Sequence, residues 1–380
     1  MMKLLQLSAT LFFLLVSTGV KAQLKSKLDE TFNEFIQKEN FSGNILIANF
    51  EGKTIYEKST GYADVRFKIP NTQETRFDIA SVSKQFTAAL VLILNEEGKL
   101  DLQASISDYL PTYRKDTGKE VKVIDLLTHQ SGIPNYTSLT GVWTDSLRNH
   151  YEFGYLISRF CSGDLEFKAG SKYKYNNSGY AILAAILEEV SGKPFGKLLQ
   201  ETILDPLNLE NTGLSSRERI IPLKAYGYAY NGDELQQANY TYMPNLNGAG
   251  SMYSTTEDLL KWSLFLHSKS ERQVLSNESY RLMTKAYTSD KKWIAPYKNG
   301  YGFGLGMFNN AKGGDENLWN TYFHSGHISG FSSYLITFKE DGFVVAILSN
   351  MGNISTTEMN RLSVSMVDIL KNQNSISSGK

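Results

Sequence analysis

Cysteine is almost missing from this 380-residue chain: Cys161 stands alone, which excludes any intramolecular disulfide and leaves stability to a packed core. Net charge is missing too. Basic and acidic residues number 39 each, so composition offers no basic surface for nucleic acid or an anionic membrane. The five histidines are scattered apart from His324 and His327, and no H-E-x-x-H or acidic cluster accompanies that pair. Neither a metal nor a cofactor is expected. Long apolar runs are missing as well, since the run Leu11 to Val16 falls short of the roughly 20 residues a spanning helix needs. Flanked by Lys3 and by Val20-Lys21-Ala22, that run reads as a secretory signal peptide over residues 1–22. The expectation is an exported protein, periplasmic or secreted, without a transmembrane segment after cleavage at Gln23. No repeat, low-complexity tract or linker divides the rest. Residues 23–373 read as one domain, and 374–380 as a disordered tail.

Leu24, Leu28, Phe32, Phe35 and Ile36 recur at helical spacing, which predicts an amphipathic helix over 24–39. Residues 43–50 and 53–58 flank Glu51-Gly52 and predict an antiparallel hairpin. After irregular chain over 61–75, the run Phe86 to Leu94 is apolar nearly all round and reads as a buried central helix ending at Gly98. Helical patterns continue to about residue 193, with a convincing helix over 180–190. Another helix over 257–267 opens with the apparent capping box Ser254-Thr-Thr-Glu257. Segments 301–308, 321–323, 331–338 and 342–349 look strand-like, and 356–372 returns to helix. The sheet therefore draws on both ends of the chain, with a helical region of about 84–225 inserted between its halves.

Ser81 and Lys84 open the central helix three residues apart, a spacing that brings a hydroxyl and an amine onto one face. A lysine whose pKa is lowered by burial can take a serine proton and make it a nucleophile. S-x-x-K recurs at Ser171/Lys174, Ser289/Lys292 and Ser377/Lys380, but only Ser81 precedes a long apolar segment. Tyr175-Asn176-Asn177 precedes the 180–190 helix, and His324-Ser325-Gly326 precedes the strand at 331.

In this order and at these distances, the three motifs resemble those of serine hydrolases grouped with class C β-lactamases and D-alanyl-D-alanine carboxypeptidases. The segments FDIASVSKQFTA (77–88), LLTHQSGIP (126–134), YKYNNSGYAILAAILEEVSGKPF (173–195), DPLNLENTG (205–213), NGAGSMYSTTEDLLKW (247–262) and HSGHISGF (324–331) carry the resemblance. It implies an α+β fold, an antiparallel sheet flanked by N- and C-terminal helices with a helical subdomain over the site. It also implies that Ser81 is the acylated nucleophile, Lys84 its proton acceptor and Tyr175 a second acid/base, provided cations lower its pKa. Asn177 would orient the substrate amide or the Lys84 ammonium. The backbone N–H groups of Ser81 and of His327, after Gly326, would hold the oxyanion, and His129 would shape the adjoining loop.

His324 stands where class C β-lactamases carry lysine, a substitution similar to certain carboxypeptidases, D-aminopeptidases and esterases. If its imidazole meets a substrate carboxylate, affinity weakens as the ring loses its proton with rising pH. The favoured function is hydrolysis of a peptide, amide or ester through acyl-Ser81, with D-amino-acid peptides or cell-wall fragments as substrates. A class C-type β-lactamase and a non-catalytic penicillin-binding sensor remain as alternatives.

Overall fold

A computed structural model describes residues 22–267, 275–291, 299–309 and 320–377. The expected signal peptide lies outside the described residues apart from Ala22, where helix α1 (22–39) begins. The central sheet has eight strands: β1 (Gly43–Asn49), β2 (Thr54–Thr60), β3 (Thr288–Lys291), β4 (Asn299–Tyr301), β5 (Gly306–Phe308), β6 (Thr321–Ile328), β7 (Phe331–Phe338) and β8 (Phe343–Ser349). Their order is β3-β4-β5-β6-β7-β8-β1-β2, antiparallel throughout, so the N-terminal hairpin completes a sheet begun by the C-terminal half.

Strand side chains alternate between two buried faces. Ile45 and Ile47 of β1, Tyr334, Ile336 and Phe338 of β7 and Val345 and Ile347 of β8 pack against Leu28, Phe32 and Phe35 of α1 and against α5 (Thr356–Ser377). Leu46, Ala48, Leu335, Val344, Ala346 and Leu348 face the other way, into the core shared with the helical region. Two-sided burial explains why these strands are apolar runs in sequence rather than clean alternations. Helix α5 continues to Ser377, beyond residue 374 where a disordered tail was expected; residues 378–380 lie outside the described set.

Helix α2 (Ser83–Glu96) runs through the interior, every residue from Ser83 to Leu92 buried. Its end is a Schellman turn: Gly98 takes φ +69°, its N–H donates to the Asn95 carbonyl, and the Lys99 N–H donates to that of Leu94. Helix α3 (Asn177–Ser191) begins three residues before the expected start because Asn176 caps it, accepting from the Gly179 N–H at 2.9 Å. In α4 (Thr256–His267) the capping residue is Thr255, which accepts from the Asp258 N–H, while Ser254 bonds Thr212; the Asp258 carboxylate turns to Asn211 and Thr212, so a single cap one residue later replaces the box read from sequence. The single strand expected over 301–308 is two, β4 and β5, folded back at Gly302–Gly304. There Gly304 has φ +68°, and a Cβ would lie 2.7 Å from the Lys84 carbonyl oxygen.

Candidate active site

Ser81 is presented by a turn fastened on several sides. Phe77–Asp78 pairs with Met252–Ser254, and the Ile79 N–H donates to the Met252 carbonyl at 2.9 Å. The chain enters a single helical turn over Ala80–Val82 with Ala80 at φ +45°. A left-handed conformation costs a non-glycine residue about 1–2 kcal/mol, and the surroundings hold it there. Ser83 Oγ donates to the Ala80 carbonyl at 2.6 Å and accepts from the Met252 N–H at 3.2 Å, while Ser333 Oγ donates to the Ile79 carbonyl at 2.7 Å. Ser81 thereby stays half-buried at the mouth of α2.

Lys84 lies one turn further on, fully buried. Its Nζ is 3.1 Å from Ser81 Oγ, 2.8 Å from Asn177 Oδ1 and 2.6 Å from the Ala249 carbonyl. Burial lowers its pKa well below that of a free lysine. Nζ donates to all three oxygens as an ammonium; once deprotonated, it keeps two N–H bonds, to Asn177 and Ala249, and turns its lone pair to the Ser81 O–H. Such a nitrogen can remove the serine proton. Asn177 is itself held, its N–H on Asn135 Oδ1 at 2.9 Å and its Nδ2 on Thr137 Oγ1 at 2.8 Å. Of the two orientations expected for Asn177, toward substrate amide or toward Lys84, its oxygen takes the second.

Tyr175 approaches from the N-terminal side of α3. Lys84 Nζ lies 4.9 Å from its ring centre. Burial raises the Tyr175 pKa, opposed by its hydrogen bond with Ser81. The expectation that cations lower this pKa is corrected here: Lys84 lies over the ring, and desolvation of the phenolate prevails. The phenol is neutral at rest. Behind it His129, at φ +58°, accepts the Asn176 N–H on Nδ1 at 3.1 Å, and its ring centre lies 4.3 Å from that of Tyr175 and 4.8 Å from that of Tyr301.

The third wall is the outer edge of β6. The sequence reading ended a strand at Phe323 and set His324-Ser325-Gly326 before the strand at 331; instead they lie within β6, which runs on to Ile328. Strand β5 covers only Thr321–Phe323 of that edge, so the stretch beyond Phe323 faces Ser81. A Cβ on Gly326 would lie 2.2 Å from the Ile79 carbonyl and 3.0 Å from the Ser81 nitrogen. Only glycine permits this approach. The two-residue hairpin closes on the pair Ile328–Phe331, so the preceding pair, His327–Ser332, is a non-hydrogen-bonded one. The His327 N–H therefore points away from β7, on the side of Ser81. The His327 ring turns elsewhere, Nε2–H donating to the Ile354 carbonyl at 2.8 Å.

His324 departs from expectation. Its Nδ1–H donates to the Ser325 carbonyl at 2.6 Å and its Nε2 accepts from Tyr301 Oη at 3.0 Å, so both ring nitrogens are engaged. Burial, then the neighbouring Lys84, pushes its pKa down to about 3. The ring is neutral throughout the physiological range and supplies no switchable charge to a carboxylate. Tyr301, Thr137 and the Ala249 carbonyl were not singled out from sequence. Only the glycines around Ala249 hinted at a close approach; Gly248 has φ +77°, and a Cβ there would strike the Tyr180 carbonyl at 2.2 Å. By contrast, the rival Ser171 is exposed on a loop and Lys174 is paired with Glu166 at 2.6 Å. Among the described residues no group of three or more His, Cys, Asp or Glu side chains is placed to hold a metal.

The chain is 29% identical over 347 residues to penicillin-binding protein 4* of Bacillus subtilis, covering 87% of this chain and 73% of that one. It is 30% identical over 257 residues to teichoic acid D-alanine hydrolase of Staphylococcus aureus, covering 65% of this chain and 62% of that protein's length. Its fold is similar to that of the D-amino acid amidase from Ochrobactrum anthropi SV3, with a TM-score of 0.77 and 21% identity, over 92% of this chain and 99% of the other. Residues 28–362 match the family described as Beta-lactamase, and the chain belongs to that family and is a serine hydrolase.

Proposed function

We propose that the protein hydrolyses peptide, amide or ester bonds through an acyl-Ser81 intermediate, with D-amino-acid peptides or cell-wall fragments as the substrate class. The observation that carries this reading is the Lys84 amine, buried and 3.1 Å from Ser81 Oγ, with two other acceptors in place for its protons. Ser81 Oγ attacks the substrate carbonyl while Lys84 takes its proton. The resulting oxyanion is held by the N–H groups of Ser81 and His327. Tyr175 gives its phenolic proton to the leaving nitrogen or oxygen and is replenished from Lys84. Loss of the leaving group leaves the acyl ester on Ser81. Water then attacks that ester, its proton passing to the same amine, and the carboxylic acid departs as Ser81 recovers its hydrogen.

The D-amino-acid preference is supported by the teichoic acid D-alanine hydrolase likeness. Export is supported by the N-terminal sequence pattern. Acylation by penicillin is a second reading, favoured by the likeness to penicillin-binding protein 4*. Rapid β-lactam turnover is disfavoured because neutral, fully engaged His324 provides no fixed charge for the drug's carboxylate. A fluorophosphonate probe and a fluorescent penicillin, followed by mass spectrometry, test the assignment. Adducts should fall on Ser81 and vanish in Ser81→Ala; labelling of Ser171, Ser289 or Ser377 instead removes it, and no labelling at all favours a non-catalytic sensor.

A further inference from the structure

A cavity of about 500 Å³ lies where β6 ends, outside the groups used above. Ile328, Ser329 and Phe331 of the β6–β7 hairpin form one wall, and residues 216–217, 219–221 and 224–227 with Tyr240 form another. Arg217, Arg219 and Lys224 face it, against a single carboxylate in its lining, Asp78. Lys224 and Asp78 neutralise each other at 2.9 Å. The two arginines have no such partner among the described residues: Arg219 donates to the Leu214 carbonyl at 3.2 Å, and Arg217 lies 5.4 Å from the Tyr240 ring centre. Glu218, between them in sequence, is engaged by Ser216 and Tyr242 and does not line the cavity. Two positive charges thus face an open space beside an apolar wall.

The site geometry says which part of a substrate reaches that space. Tyr175 protonates the leaving group in the reading above, and its ring centre lies 6.2 Å from that of His324. His327, whose N–H holds the oxyanion, sits three residues further along β6, next to Ile328. The leaving group therefore lies toward His324, while the acyl portion runs past His327 toward the hairpin tip and the cavity.

We propose that this cavity is an anion subsite for the acyl donor, Arg217 and Arg219 holding a carboxylate or phosphate carried on the acyl side of the scissile bond. This rests on the acyl-Ser81 reading and narrows its substrate class to acidic peptides or phosphate-bearing acyl groups. Both anions match a guanidinium's planar array of donors.

The test compares kcat/KM for acetyl-Glu-D-Ala-D-Ala against acetyl-Gln-D-Ala-D-Ala, and for the phosphoserine peptide against its serine counterpart. All four share one leaving group. In the wild type at least one charged peptide should be preferred about ten-fold, the worth of one charge-assisted hydrogen bond. That ratio should collapse toward unity in Arg217→Gln/Arg219→Gln, be partly kept in Arg217→Lys/Arg219→Lys, and shrink in raised salt. Preference for glutamate alone identifies a carboxylate subsite, and for phosphoserine alone a phosphate subsite. Ratios near one in both pairs, or a preference that the glutamine variant leaves intact, overturn the subsite while leaving the hydrolase reading in place. If none of the peptides is cleaved, the D-alanyl peptide reading fails, and the subsite is judged by titrating acetylglutamate and inorganic phosphate into the full chain by calorimetry. Binding lost in the glutamine variant supports it; absence of binding overturns it.

Discussion

At the residue scale, the proton bookkeeping around Ser81 separates the roles of two groups whose pKa values burial moves in opposite senses. Burial lowers the pKa of Lys84, which favours the proposed base, and raises that of Tyr175, which favours the proposed acid. Lys84→Ala and Tyr175→Phe should each slow acylation by roughly 10²- to 10⁴-fold. In the proposed mechanism both act on one proton path, so the double variant should be little slower than the poorer single variant, as measured by stopped-flow labelling. Multiplicative losses argue for independent action. His324 has a similarly definite expectation. With its pKa near 3, the kcat/KM ratio of a carboxylate-bearing to a neutral leaving group should show no imidazole titration between pH 5 and 8. A step near pH 6.5 that disappears in His324→Gln contradicts this. Tyr301→Phe leaves the buried Nε2 without its donor and should cost about 1–3 kcal/mol in urea unfolding.

At the scale of elements, the site is the meeting of a helix mouth with a strand edge, and glycine sets how closely they meet. Gly326→Ala places a Cβ against the Ile79 carbonyl and beside the Ser81 nitrogen, with backbone atoms that cannot swing away. The strand must retreat from the Ser81 turn. Displacement by even about 1 Å can cost roughly 10²-fold in rate, so kcat/KM should fall by at least that much while circular dichroism shows the fold retained. Activity within a few-fold of wild type means that the β6 edge does not form the oxyanion site. The helix was legible, since Phe86–Leu94 is apolar on all sides, but of β6 only Thr321–Phe323 read as strand, and the residues that meet Ser81 lie beyond it. The split of 301–308 was not legible, since its fold-back places Gly304 against the Lys84 backbone, a contact between segments more than 200 residues apart.

For the whole molecule, buried histidines couple stability to pH. His129, His267 and His324 are all buried and held neutral, with the last two lowered to about 3. Between that value and the unfolded value near 6.5, the unfolded chain binds more protons, so stability is full above pH 6.5 and declines as pH falls through the window. At pH 5 each such histidine favours unfolding by about 2 kcal/mol at most. Thermal unfolding from pH 7 down to 5 should show a steadily falling Tm. His267, stacked 4.9 Å from Tyr322 and away from Ser81, isolates one contribution: His267→Gln should flatten that slope. An unchanged slope removes His267 as a contributor. Cys161 adds no redox counterpart, being buried with its thiol pushed up to about 12.

Sequence by itself determined the α+β plan, the sharing of one sheet by both chain ends, and the three motifs, because hydrophobic period and short-range spacing are properties of neighbouring residues. It also distinguished Ser81 from Ser171, since only one precedes a buried helix. Tertiary structure alone decided the protonation states and the partners. Lys84 meets Asn177 and Ala249 across 93 and 165 residues, and His324 meets Tyr301 from a neighbouring part of the sheet. Desolvation and hydrogen bonding, which set a pKa, depend on what surrounds a group in three dimensions, and a side chain's own sequence neighbours carry little of that information.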